Sequence, residues 1–81
     1  MQYQGAAVIL DVKSNLPYRK RDEITSHLNQ QEGVRDATFS QYVNRVMIIS
    51  YDPKVIKAQA IRNRVQERLD TDGPATCLVD L

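Results

Sequence analysis

The chain predicts an α+β plait of order βαββαβ, with four strands in one antiparallel sheet and two helices on one of its faces. Two runs of apolar and polar alternation, around Val8 and around Ile49, have the period of strands. Two longer runs place apolar residues four apart, Ile24 with Leu28 and then Ile61, Val65 and Leu69, which is the spacing of a helix with one buried stripe. Turn residues separate them: Asn15 and Pro17, Gly33, Asp52-Pro53 and Gly73-Pro74. Each strand-helix-strand unit makes a right-handed crossover, and two interleaved units give strand order 4-1-3-2.

Gly5 to Val12 is the first strand, with Val8, Leu10 and Val12 set against Ile9, Asp11 and Lys13. Its β-branched content suits a largely buried position. Ser14 to Tyr18 is a loop, and Pro17 fits the first helical turn, where a missing N–H costs nothing. Arg19 to Gln31 is the first helix, its buried face built on Ile24 and Leu28 with Thr25 and Tyr18 beside them. Asp22 and Glu23 lie in its first turns, where carboxylates suit the dipole, and Gly33 is a natural stop. Val34 to Tyr42 is the second strand, with Ala37 and Phe39 on alternate positions, and Val43-Asn44-Arg45 is a turn. Val46 to Tyr51 is the third strand, Met47, Ile49 and Tyr51 pointing one way and Val46 and Ile48 the other. Asp52-Pro53 ends it. Val55 to Leu69 is the second helix, with Ile56 and Ala58 near its start, and Asp70-Thr71-Asp72-Gly73-Pro74 breaks it. Ala75 to Leu81 is the last strand, completing a ferredoxin-like plait over a single domain, 1–81.

Eleven basic and 10 acidic side chains leave a net charge of +1, which gives no global field for nucleic acid or an anionic membrane. One cysteine, Cys77, cannot form an internal disulfide. The longest apolar run, Ala6 to Leu10, is too short to span a bilayer, and no basic segment precedes it as in a secretory signal. A cytoplasmic location without membrane association is the expectation.

In order and spacing, Ile24, Leu28, Gly33-Val34, Ile49-Ser50-Tyr51-Asp52-Pro53, Ile61, Val65 and Gly73 together resemble the heavy-metal-associated domains of copper chaperones and metal-pumping ATPases. The resemblance covers nearly the whole chain and implies the same plait. It also implies where a metal would sit, since those domains bind it through two cysteines of a CxxC loop before the first helix. The family's two cysteines fall on Pro17 and Lys20, and Ser14 and Asn15 fall where it has Gly-Met. The loop reads Ser14-Asn15-Leu16-Pro17-Tyr18-Arg19-Lys20 and contains no thiol. Soft ions such as Cu(I) select sulfur ligands. Proline offers no side-chain ligand, and Lys20 is a cation flanked by Arg19 and Arg21. The expectation is therefore no metal and no cofactor, and a non-catalytic docking or regulatory module. In the family this loop approaches a partner domain, so a loop that exchanged thiols for cations keeps the docking and loses the cargo.

Tyr18, Arg19, Lys20 and Arg21 are the candidate docking point, their cations opposing the helix dipole unless an anion or acidic partner meets them. The plainer reading is a solvated charge run offset by Asp22 and Glu23. Ala7, Ile9, Val46 and Ile48 form a second candidate surface, an apolar patch on the open sheet face for a protein partner or a second copy. Scattered surface aliphatics are the plainer reading there. His27 has no partners at ligand spacing, and Cys77 reads as an inert strand thiol. Lys57, Arg62, Arg64 and Arg68 read as the solvated face of the second helix.

RNA-recognition domains share the plait but stack bases on aromatics of the two central strands. Strand one has none and strand three only Tyr51, so no nucleic-acid partner is expected. Two alternatives stand beside the docking module. One is a metal-trafficking protein with an unconventional site recruiting Cys77, His27, the thioethers of Met1 and Met47, or residues of a second subunit. The other is a small-anion enzyme of acylphosphatase-like shape, although 14–19 lacks the glycines of a phosphate-cradling loop.

Overall fold

The computed structural model describes residues 5–12, 16–69 and 76–80, the last segment as backbone alone. The elements follow in the expected order: β1 (Ala6–Asp11), α1 (Tyr18–Asn29), β2 (Val34–Phe39), β3 (Val46–Tyr51), α2 (Ala58–Arg68) and β4 (Thr76–Asp80). The sheet runs β2-β3-β1-β4 with every neighbour antiparallel, which is the order 4-1-3-2 read from its other edge.

Alternation decides which face of the sheet is buried. The register sets Val8 opposite Ile49 and Leu10 opposite Met47, and all four are sealed from solvent. Ile24 and Leu28 of α1 and Ile61 and Val65 of α2 close over them in one core. Each such aliphatic contributes about 1.5–3 kcal/mol by leaving water. Both helices therefore lie on one face, because both stripes share the same apolar surface. Among the described residues no helix is long and apolar enough to cross a membrane.

Several boundaries differ from expectation, two of them for a clear local reason. The second strand ends at Phe39 rather than Tyr42, because Ser40 Oγ accepts hydrogen bonds from the Tyr42 and Val43 N–H groups and turns the chain. The second helix starts at Ala58 rather than Val55, because the Asp52 carbonyl accepts from both Val55 and Ile56 at 3.0 Å and holds a separate turn. α1 begins one residue early, at Tyr18, and ends at Asn29. Tyr18 is 76% exposed and does not join the buried stripe, and the first turn of α1 holds no acid. Asp22 and Glu23 follow that first turn, and Glu23 reaches back to Lys20.

Two tethers tie the crossovers to the sheet. Gly33 has φ +93°, and its carbonyl accepts from the Asp52 N–H at 2.7 Å. Val34 pairs with Tyr51 beside it, so the Gly33-Val34 and Tyr51-Asp52-Pro53 segments, distant in sequence, form one corner. The second tether is Asn29, the last residue of α1. Its Oδ1 accepts from the Ala37 N–H at 3.1 Å, and its Nδ2 donates to the Ala37 carbonyl at 3.2 Å and the Thr25 carbonyl at 2.9 Å. Replacing Asn29 with alanine strips both Ala37 groups of a partner and is expected to cost about 1–2 kcal/mol. Urea unfolding monitored by circular dichroism reads this as a lower midpoint at constant slope, and an unchanged midpoint would refute the tether.

Candidate functional site

The N-terminal end of α1 is built by a proline. Pro17 occupies the N-cap with φ −60° and ψ 155°, and no side chain caps the helix. The Pro17 carbonyl accepts from the Arg21 N–H at 3.0 Å, while the earlier first-turn amides have no carbonyl within the helix to bond. Leu16 anchors the approach, packing half-buried against the core. Ser14 and Asn15 lie outside the described residues.

Positions 17 and 20 are three apart, so they lie on neighbouring parts of the helix surface. Pro17 is exposed, and Lys20 is half-buried with its Nζ 3.7 Å from Glu23 Oε2. An ammonium group already paired with a carboxylate thus stands at position 20.

The three cations of the run diverge, as residues 100° apart on a helix must. Arg19 points to solvent. Lys20 turns to Glu23. Arg21 folds back toward β2, its guanidinium carbon 6.0 Å from the ring centroids of both Tyr18 and Phe39. A recess of about 200 Å³ opens there, lined by Tyr18, Arg21, Asp22, Thr25, Thr38 and Phe39. The expected four-residue docking point is therefore two features, an outward charge at Arg19 and an inward recess around Arg21. Nothing in the sequence pointed to Phe39, Thr25 and Thr38 as its walls. The one available signal was that the start of α1 and the end of β2 share an end of any βαβ unit.

The open sheet face keeps the predicted side chains but not a wholly apolar character. Ile9 stands opposite Ile48, Ala7 opposite Ser50, and Asp11 opposite Val46. Ala7, Ile9 and Val46 are half-buried, and Ile48 is 40% exposed. Thr38 continues the row beside Ile48 on β2. Asp11, which alternation placed on this face, is buried, and its Oδ1 lies 3.5 Å from Arg45 Nε. The aliphatic patch is thus a central Ile9–Ile48 pair bordered by hydroxyls and an ion pair.

Three of the remaining charged or titratable candidates, His27, Arg64 and Arg68, make contacts within the fold. Arg68 reaches across from α2, donating to His27 Nδ1 at 3.2 Å with its other amino group 3.7 Å from Glu23 Oε1. His27 and Arg68 thereby clamp the two helices, and Arg68 is not part of a free basic face. Arg64 pairs with Glu67 at 3.9 Å, and Lys57 is the N-cap of α2 rather than a helical residue. Met47 lies sealed in the core. Cys77 falls in β4, whose side chains, like Met1, lie outside the description. Among the described residues no three His, Cys, Asp or Glu side chains gather as a metal site would require.

Among solved structures, the crystal structure of a copper binding domain from HMA7, a P-type ATPase, matches this chain with a TM-score of 0.76. The match covers 93% of this chain and 96% of that one at 16% sequence identity. The two share one fold. No protein-family model matches the chain, and no curated protein matches it either. The shared plait is the one the motif order implied, and the resemblance extends over both β-α-β units.

Proposed function

We propose that this chain is a non-catalytic docking or regulatory module of heavy-metal-associated type, one that meets a protein partner or a second copy through the α1 end and the open sheet face and carries no metal there. The observation that carries this reading is the proline and the paired lysine at positions 17 and 20, in a loop without sulfur. Cu(I) selects thiolate and thioether ligands. Neither side chain supplies one, and Arg19 and Arg21 disfavour a bare cation nearby. The cations and Tyr18 remain as a surface for an acidic partner.

Titration of the chain with Cu(I) and with Zn(II), read by native mass spectrometry, tests the proposal. The expected result is no stoichiometric adduct with either ion at protein concentrations of a few micromolar. A tight one-to-one adduct would instead support metal trafficking. That second reading is favoured by one finding, the copper binding assigned to the HMA7 domain of the same fold. It would require ligands away from the α1 end, drawn from Cys77, His27, the methionines or a second subunit.

A further inference from the structure

The recess between α1 and β2 holds a cation in an unusual state. Arg21 is half-buried, and its Nε is closed off from solvent with no acceptor. Among the described residues no ion pair or hydrogen bond engages its guanidinium. The rings of Tyr18 and Phe39 flank it, each at the outer limit of a cation–π contact. A guanidinium that has lost part of its hydration and gained no counter-ion is a standing electrostatic cost. An anion entering beside it would offset that cost, and the two rings would supply apolar walls.

The size and charge of the recess narrow the choice of anion. About 200 Å³ is below the roughly 300–1,000 Å³ typical of small-molecule sites, and suits one side chain inserted from a partner. Asp22 stands on the lining, so a singly charged carboxylate is repelled less than a doubly charged phosphate. Thr25 and Thr38 complete the lining. The first turn of α1 holds three cations and no acid, which adds to the attraction for an acidic segment running past the helix end.

We propose that the Tyr18–Arg21–Phe39 recess receives the carboxylate of an aspartate or glutamate side chain on a partner protein. This rests on the docking reading and names its chemistry. Arg21 is the specificity-determining residue, and Tyr18 and Phe39 hold its guanidinium in place.

The test is a titration of the isotope-labelled chain, followed by backbone and arginine side-chain NMR. The probes are acetyl-Ala-Glu-Leu-amide, its Gln counterpart, and inorganic phosphate. The glutamate peptide is expected to give weak, saturable shifts at Tyr18, Arg21 and Phe39 and at the Arg21 Nε–H. Arg21→Gln is expected to weaken that binding roughly tenfold or more, the value of a charged hydrogen bond. Arg19→Gln, which alters charge at the same helix end without touching the recess, is expected to change it by less than about twofold. Phe39→Leu keeps the position apolar and removes one ring, and is expected to weaken binding while leaving the fold intact, so the outcome does not depend on Arg21→Gln alone. Equal shifts from the glutamine peptide, tighter saturation of these resonances by phosphate, or no saturable shift in the parent would each overturn the assignment. The metal titration decides the docking reading separately, so the recess can fail while that reading stands.

Discussion

Cysteines placed together at positions 17 and 20 are expected to give a chain that binds one Cu(I) tightly where the parent binds none. The two positions are the N-cap and the third residue of α1, close enough for both sulfurs to reach one ion. A helix N-terminus lowers thiol pKa, so thiolate would be present near neutral pH. Arg19 and Arg21 disfavour a bare cation, yet two thiolates with Cu(I) carry a net negative charge, which the same arginines stabilise. The double variant Pro17→Cys, Lys20→Cys is expected to bind about 10²–10⁴ times more tightly than either single variant, the gain from linking two ligands. Competition with a Cu(I) chelator of known affinity measures this. Equal affinity for double and single variants would mean that these positions do not face one site.

Replacement of Gly33 with alanine is expected to be the most damaging small change in the fold. With φ at +93° the backbone sits where an L side chain is strained. A Cβ there would also come within 2.8 Å of Ile56 Cγ2 and 2.9 Å of Val55 Cγ1. Both neighbours are β-branched and stiff at χ1, so neither swings aside cheaply. Backbone strain and overpacking together are expected to cost about 2–4 kcal/mol. A domain of this size has about 4–12 kcal/mol in total, so a large share would be lost. The melting temperature is expected to fall by roughly 10–25 °C. Val55→Ala in the same background removes one overlap and is expected to restore only part of the loss. A melting temperature within a few degrees of the parent's would mean that the corner between Gly33 and Asp52 yields easily.

The sheet was legible because its two central strands obey a period of two that admits one buried face. A one-residue slip of either strand would turn its pair, Val8 and Leu10 or Met47 and Ile49, out to the other face. The motif pieces Gly33-Val34 and Tyr51-Asp52-Pro53 looked like separate weak matches in sequence. In space they are one corner, joined by the Asp52 N–H and the Gly33 carbonyl. The end of β2 was not legible, because a single hydroxyl, that of Ser40, decides it. Asp11 was placed on the correct face but its burial was missed, since that depends on Arg45 from a loop 34 positions later. The recess at Arg21 was hidden for the same reason. Tyr18 and Arg21 are close in sequence, but Phe39 and Thr38 come from the next strand, and only the packing of α1 on β2 brings them together.

β2 is an outer strand of the sheet, and such a strand would ordinarily offer its free N–H and C=O groups to another chain. The amide of Asn29 already occupies both groups of Ala37 in the middle of that border. An incoming strand would have to evict it before pairing could propagate along the full length of β2. Lateral growth of the sheet into ribbons or fibrils is therefore obstructed on this side, and Asn29 acts as a stopper at the cost of one amide side chain.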